Sequence, residues 1–104
     1  MTHIQLQNKF AKKLSQYLDE YFYYKIPDTG GLGNLRPFDS ILLFRGTLFA
    51  IELKIGRDKI KKHQKYFLDK ITRNKGVSLI ITDKDDINKL IVSKILEGEH
   101  QCWF

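Results

Sequence analysis

The sequence predicts an α/β fold in which a mixed β-sheet is flanked by helices, in the order αβββαβα. Three observations support this prediction. Apolar residues recur at helical spacing near the start of the chain, two apolar runs flank the turn residues Arg45-Gly46, and a basic amphipathic stretch precedes the short apolar run 77–81. A strand reached through such a crossover helix lies parallel to an earlier strand, which makes the sheet mixed.

Length and composition are those of one small folded domain. The 104 residues suffice for one core but not for two, so we expect a single domain over 1–104. Hydrophobic residues make up 42% of the chain, which argues against a disordered protein. The apolar runs are short and the N-terminus lacks the layout of a signal peptide, so we expect a soluble cytoplasmic protein without membrane contact.

Charge and cysteine content narrow the possible partners. The formal net charge of +6 favours a polyanionic partner, although basicity alone is also found in domains that bind RNA, acidic lipid or nothing charged. Cys102 is the only cysteine, so the chain forms neither an internal disulfide nor a cysteine-based zinc cluster. A bound metal must therefore use oxygen ligands.

The first half of the chain is predicted to form a helix, a short strand and a hairpin. The helix is indicated by an apolar stripe made of Ile4, Leu6, Phe10, Leu14, Tyr17, Leu18 and Tyr21. The aromatic run 21–24 favours a strand that ends before Pro27. Glycines 30, 31 and 33 mark a loop that either closes over a ligand or only connects two elements. The hairpin pairs 38–44 with 47–54 through Arg45-Gly46.

The second half is predicted to contain a helix, a strand and a final helix. The first of these helices spans 58–75, with Gly76 as its C-terminal cap. The strand 77–81 is short and apolar, as in a buried parallel strand. The run 83–86, which contains three aspartates, can cap the start of the last amphipathic stretch, which Gly98 closes. The apolar tail 102–104 packs on the core or contributes to a dimer interface.

The hairpin register places two carboxylates opposite each other. If Arg45 and Gly46 form the turn, Phe44 pairs with Thr47, and Asp39 then faces Glu52 on one face of the sheet. A four-residue loop keeps this register, whereas an odd-length loop moves Asp39 to the other face. A solvated charge pair is the alternative, but the apolar side chains that share this face favour a buried one. They are Ile41, Leu43, Leu48 and Ala50.

Two carboxylates about 5 Å apart repel each other unless a positive charge lies between them. The carboxylates of Asp39 and Glu52, the backbone carbonyl of Leu53, water and a substrate phosphate match the shell of Mg²⁺ or Mn²⁺. Lys54 projects from the same face and would orient or help to deprotonate an attacking water. The pattern therefore predicts a metal site suited to phosphodiester chemistry.

At these residues the chain resembles the PD-(D/E)xK nuclease superfamily, nearest to its VRR-NUC and Holliday-junction-resolvase branches. Pro37-Phe38-Asp39 and Ile51-Glu52-Leu53-Lys54 are similar to its two signature elements, and Gln64 is similar to a glutamine on the following helix. The resemblance implies a restriction-endonuclease-like αβββαβ core and Mg²⁺-dependent cleavage of DNA. It also implies that Asp39 and Glu52 bind the metal, that Lys54 acts with the water, and that Gln64 supports the water on the metal or orients Lys54.

The chain departs from this pattern on the first helix, where these branches often carry a glutamate. The corresponding stretch offers His3, Gln5 and Gln7, while Glu20 falls near the predicted helix end. Which of these four side chains, if any, completes the metal site stays open. A missing carboxylate would weaken metal binding without abolishing it.

A basic surface near Lys54 is the predicted path of DNA. It consists of Arg57, Lys59, Lys61, Lys62 and Lys65, continued by Lys70, Arg73 and Lys75, with Lys9, Lys12 and Lys13 on the first helix as a further extension. A merely solvated helix face is the alternative. His63 is expected to be exposed or to contact phosphate. Nothing in the sequence is typical of a base-reading motif, so a branched or distorted duplex is the expected substrate.

Three functions remain open on these grounds. The first is a structure-specific endonuclease of recombination and repair, similar to a Holliday-junction resolvase, acting as a homodimer because two strands need two catalytic units. The second is a nicking or flap-type repair nuclease of a phage or mobile element. The third is a DNA-binding module of the same fold that has lost turnover.

Overall fold

The structure is a computed structural model that describes residues 1–27 and 36–98. Its elements are α1 (His3–Tyr17), β1 (Phe22–Lys25), β2 (Ser40–Phe44), β3 (Thr47–Lys54), α2 (Lys62–Arg73), β4 (Val77–Thr82) and α3 (Ile87–Leu90), which continues as a π-helical segment (Ile91–Leu96). The predicted α/β class and mixed sheet are confirmed. The glycine-rich loop at 30–33 and the apolar tail 102–104 lie outside the described residues.

The sheet has the strand order β1-β2-β3-β4, with β1, β2 and β3 antiparallel and β4 parallel to β3. Arg45 (φ 49°) and Gly46 (φ 82°) form the two-residue turn, and two positive φ angles are what a tight hairpin turn of this kind requires. Phe44 pairs with Thr47 and Ser40 with Ile51, so the predicted register is confirmed. The pairing ends there, and the backbone amide of Asp39 donates to the Ile51 carbonyl at 3.0 Å. Asp39 therefore enters β2 beside the end of β3 that carries Glu52.

The main core lies on the face of the sheet covered by α1, α3 and the π-helical segment. Leu6, Phe10 and Leu14 of α1 are fully buried against β3 residues such as Phe49 and Ile51. Because side chains alternate along a strand, the neighbouring residues Ala50, Glu52 and Lys54 project to the opposite face. The apolar residues of β3 therefore fix the direction of its charged ones.

Helix α2 covers only part of that opposite face. Leu68 of α2 packs with Ala50 and Phe38, and its carbonyl accepts a hydrogen bond of 2.7 Å from the Ser78 hydroxyl of β4. The β1–β2 side of the face is open, and the Leu43 side chain is 43% exposed. The expectation of a buried charge pair is confirmed, since Asp39 and Glu52 are both buried, but the cover does not extend over all four strands because a 12-residue helix over β3 and β4 is too narrow.

Two helices are shorter than their apolar patterns predict. Helix α1 ends at Tyr17, with Leu18 extended and buried as its cap, whereas Ile4 is exposed. Helix α2 begins at Lys62 instead of residue 58 because Gly56 (φ 60°) bends the chain after β3. Lys59 and Lys61 thus lie in the segment before α2.

The C-terminus of α2 corrects the predicted role of Gly76. Lys75 (φ 73°) takes the left-handed position, and the amide of Gly76 donates to the Ile71 carbonyl at 3.0 Å, which closes a Schellman motif. A Cβ atom on Gly76 would lie 2.6 Å from the Ile71 side chain. Gly76 is needed for this close approach, and the left-handed backbone belongs to the residue before it.

Within the two described ranges, no helix combines the length and the apolar character needed to cross a bilayer. Helix α3 begins at Ile87, as predicted, with the Asp86 side chain accepting from the Lys89 amide. Its continuation in π geometry is not foreseeable from an apolar spacing that fits either helix type.

Candidate active site

Asp39, Glu52, Lys54 and Gln64 come together at the end of the sheet where β3 finishes and α2 begins. Asp39 is 1% exposed and Glu52 is 2% exposed. Both lie at the inner wall of a cavity of about 440 Å³, and His3, Arg36, Lys59 and Lys61 are among its other lining residues. Because buried carboxylates are costly unless they are paired, the contacts around them define the site.

Both oxygens of Asp39 are occupied. Oδ1 accepts a hydrogen bond of 2.6 Å from Nη2 of Arg36, and Oδ2 accepts one of 2.7 Å from the backbone amide of Leu53. Nε2 of His3 lies 3.4 Å from the same Oδ2. Asp39 thus ties together the entry to β2, the end of β3 and the start of α1.

Glu52 is held by Lys54 and Gln64. Its Oε2 lies 3.0 Å from Nζ of Lys54 and accepts a hydrogen bond of 2.6 Å from Nε2 of Gln64. Oε1 of Gln64 accepts from Nζ of Lys54 at 3.0 Å and from the backbone amide of Lys61 at 3.1 Å. Both the oxygen and the nitrogen of the Gln64 amide are therefore engaged, and this side chain fixes the positions of Lys54 and Glu52 relative to the first turn of α2.

The environment of Glu52 favours its protonated form. Burial raises the pKa of Glu52 above its usual value of 4.5, the nearby Asp39 raises it further, and Lys54 offsets part of the effect. Among the described residues, the buried Oε1 of Glu52 has no hydrogen-bond partner. An unpartnered buried carboxylate oxygen is a candidate cation ligand, because a cation would satisfy it.

The donors at this position fit a hard divalent cation. They are Oε1 of Glu52, the carboxylate of Asp39 and the carbonyl of Leu53. Leu53 lines the cavity and its amide donates to Oδ2 of Asp39, so its carbonyl is the backbone oxygen that the sequence pattern predicts for this site. In the part of the chain that the structure describes, no group of three or more His, Cys, Asp or Glu side chains is arranged to hold a metal. Water and phosphate would have to complete the shell.

Of the four first-helix candidates, His3 is the one at the cavity. Its ring contacts Asp39 because the capping of α1 at Thr2 sets the first turn of the helix beside the end of the sheet. Gln5 is used in that cap, where its Oε1 accepts from the Thr2 amide at 2.8 Å. Glu20 is exposed beyond the end of α1, and Gln7 is not among the described residues that line the cavity.

The predicted DNA-binding residues are only partly grouped. Lys59 and Lys61 line the cavity, whereas Arg57 and Lys62 are exposed next to it in sequence. Lys65 forms an exposed ion pair of 3.1 Å with Asp69. The cationic rim, as we call Arg36, Lys59 and Lys61, is therefore smaller than the predicted surface.

His63 differs from its predicted role. It is half-buried, and its Nε2 lies 3.1 Å from the backbone carbonyl of Arg36. The contact places His63 between α2 and the segment that enters β2. His63 thus links α2 to Arg36. The prediction that His63 is solvent-exposed was wrong, and its contact with phosphate stays a prediction.

Arg36 is the site residue that the sequence pattern did not reveal. It contacts Asp39 through Nη2 and the Ile26 carbonyl through Nη1 at 3.3 Å. The available signal was the cation three residues before Asp39, but an Arg at that spacing also occurs in loops without such a contact. Asp39 needs a nearby counter-ion because it is buried, and its burial is seen only once the hairpin is placed in the fold.

Comparison with protein-family models and with curated proteins finds no match to this chain. The functional argument therefore rests on the residues of the site and their geometry.

Proposed function

We propose that the protein is a metal-dependent endonuclease of the PD-(D/E)xK type that hydrolyses phosphodiester bonds in DNA. The observation that carries the proposal is the contact network of Asp39, Glu52, Lys54 and Gln64 at a cavity with a cationic rim. Two buried carboxylates beside a lysine are costly for a structural protein, and clusters of this kind are typical of functional sites. The element order αβββαβ agrees with a restriction-endonuclease-like core.

Each residue has a distinct role in this proposal. Asp39, Glu52 and the Leu53 carbonyl hold Mg²⁺ or Mn²⁺, which supplies Lewis-acid stabilisation of the phosphate and lowers the pKa of water. Lys54 places its ammonium beside Glu52, where it orients the attacking water and stabilises negative charge on the phosphate. Gln64 fixes the position of Lys54 through their hydrogen bond of 3.0 Å.

The proposed substrate is a branched or distorted DNA duplex, cut by a homodimer in the manner of a Holliday-junction resolvase. The support for DNA is the formal charge of +6 together with the cationic rim. A nicking or flap-type nuclease would use the same residues and differ in the shape of its DNA. Cleavage of two strands by one protein favours the dimer, since each site cuts one strand.

A second candidate function is a DNA-binding module without turnover. The observation that favours it is the neutralisation of both carboxylates within the protein: Arg36 contacts Asp39 and Lys54 contacts Glu52. If these pairs persist with DNA bound, they exclude the cation and the protein only binds.

The test incubates the protein with labelled four-way junction, flap, nicked and linear DNA, with Mg²⁺, with Mn²⁺ and with neither. We expect metal-dependent cleavage that Asp39→Ala and Glu52→Ala abolish while DNA binding survives. Asp69→Ala is the matched control, because this exposed carboxylate on α2 contacts only Lys65 in the described structure. Full activity of Asp39→Ala or Glu52→Ala would refute the site. Binding without cleavage on every substrate would establish the second candidate.

A further inference from the structure

Arg36 occupies the carboxylate oxygen that a cation needs. Its guanidinium donates to Oδ1 of Asp39 at 2.6 Å, while Oδ2 is already held by the Leu53 amide. A hydrogen bond between a guanidinium and a carboxylate is among the stronger ones in proteins. A cation at this position must therefore displace Arg36 from Oδ1 or share the oxygen with it.

The charges at the site are balanced before any ligand arrives. When both carboxylates are ionised, Asp39 and Glu52 contribute two negative charges, and their contacting partners Arg36 and Lys54 contribute two positive ones. A divalent cation added to this neutral group meets repulsion from both basic side chains. If a DNA phosphate enters at the same time and attracts one of them, the repulsion falls.

Arg36 is placed to make that move. It is part-buried at the cavity rather than enclosed, with its side chain 27% exposed. Its backbone is anchored independently, since the Arg36 carbonyl lies 3.1 Å from Nε2 of His63 on α2. A change of rotamer would break the guanidinium's contacts with Asp39 and with the Ile26 carbonyl at 3.3 Å, but it would leave this backbone anchor at the entry to β2 in place. A guanidinium presents five N–H donors in a planar fork that suits phosphate as well as carboxylate.

We propose that Arg36 couples DNA binding to metal binding, by leaving Asp39 for a DNA phosphate and so freeing Oδ1 for the cation. The inference rests on the proposed function and deepens it. Without DNA, Arg36 competes with the cation for Asp39. With DNA, the same guanidinium binds the phosphate, and DNA and cation strengthen each other's binding by an equal factor, as linkage requires. Arg36 is in this sense a positioning residue for the metal and a contact for the substrate.

The test measures Mn²⁺ affinity by electron paramagnetic resonance of the free ion, with and without a four-way DNA junction, against the background of the junction alone. Arg36→Gln should bind Mn²⁺ at least about tenfold more tightly than the wild type when DNA is absent, because a charged competitor for Asp39 is gone. DNA should raise the Mn²⁺ affinity of the wild type and leave that of Arg36→Gln nearly unchanged. Arg45→Gln is the matched control, since it removes an exposed arginine at the hairpin turn that lines neither the cavity nor the predicted path of DNA.

Thermal unfolding shows whether Arg36→Gln is folded and whether Mn²⁺ stabilises it. Arg36→Gln leaves a buried carboxylate without its counter-ion, so its Tm should fall without metal, and Mn²⁺ should raise that Tm more than it raises the Tm of the wild type. Arg36→Lys keeps the charge but loses the planar fork. It should fall between the wild type and Arg36→Gln in DNA-free Mn²⁺ affinity, and it provides the comparison if Arg36→Gln does not fold.

The outcomes separate this inference from the proposed function. An unchanged or weaker DNA-free Mn²⁺ affinity in both Arg36 variants would overturn the role of Arg36, even if the wild type cleaves DNA. An equal effect of DNA on the wild type and on Arg36→Gln would overturn it as well. Coupling that Arg36→Gln removes, in a protein that cleaves no DNA, would support Arg36 and refute the nuclease.

Discussion

The two faces of the sheet differ in what they bury: one buries apolar side chains, and the other buries a polar network at one end. On one face, α1 and α3 cover an apolar layer in which Phe10 and Ile51 are completely buried. On the other face, α2 covers one side only, and the covered end holds the polar network of Glu52, Lys54 and Gln64. β3 contributes to both faces through strict alternation of its side chains.

This difference locates the stability of the domain on one face and its candidate chemistry on the other. Burying an apolar side chain contributes about 1.5–3 kcal/mol, whereas burying a carboxylate costs free energy that its partners only offset. The polar end is tolerated because the opposite face holds β3 in place. The comparison predicts that substitutions on the two faces differ in kind, and three experiments probe that difference.

The largest expected effect is on stability, for one pair of matched phenylalanines. Phe10 is fully buried under the sheet, with its ring edge-on to Tyr23 at 6.0 Å, whereas Phe22 on β1 is 58% exposed. Phe10→Ala should lower the free energy of unfolding by about 3–5 kcal/mol, through lost burial and the cavity left behind. Phe22→Ala should cost less than about 1 kcal/mol. Urea denaturation of both variants measures the contrast, and equal losses would contradict it.

Much of the fold could be predicted because local signals and periodicity agreed. The turn at Arg45-Gly46 adopts positive φ angles and set the hairpin register from Phe44–Thr47 to Ser40–Ile51, which brings Asp39 to the end of the sheet where Glu52 lies. The apolar spacing also located the parallel strand β4 after α2. These are short-range patterns, and each is set by a few neighbouring residues.

The rest depended on contacts between segments distant in the chain. β1 and β2 are only partly covered because α2 packs over β3 and β4. The apolar periodicity of a helix predicts its buried side but not its position on the sheet. The His63 ring contacts the backbone carbonyl of Arg36, which lies 27 residues earlier in the chain. Local sequence therefore predicted neither this link nor the contact of Arg36 with Asp39. His3 was one of four open candidates until the position of the first turn of α1 selected it.

An intermediate effect is expected on DNA affinity. The second comparison is between two lysines at the cavity and two lysines on α1. Lys59 and Lys61 line the cavity, while Lys9 and Lys12 are exposed on α1, whose buried side covers the other face. Replacing Lys59 and Lys61 with Gln should weaken DNA binding and reduce the slope of log K against log salt by about 0.9 for each lost phosphate contact. The same replacements at Lys9 and Lys12 should change the slope less. An unchanged slope after the first pair would remove the cationic rim from the DNA path.

The smallest expected effect is a pH-dependent gain in stability on the polar face. The pKa of Glu52 is raised above 4.5 by burial and by Asp39, so the folded protein binds a proton more tightly than the unfolded chain does. The stabilising contribution of the bound proton is complete below pH 4.5. It is lost as the pH rises from 4.5 through the raised pKa, where the buried group ionises.

Glu52→Gln should mimic the protonated side chain at every pH. Its free energy of unfolding should match that of the wild type near pH 4.5 and exceed it progressively at higher pH, because the wild type alone must then bury a charge beside Asp39. Lys54 offsets part of that cost, which keeps the gain small. Urea unfolding of both proteins from pH 4.5 to 8 measures the difference, with Asp69→Asn as a control for an exposed carboxylate. A variant less stable than the wild type at pH 8 would mean that the pair with Lys54 outweighs burial, and the polar end would then stabilise the fold instead of costing it.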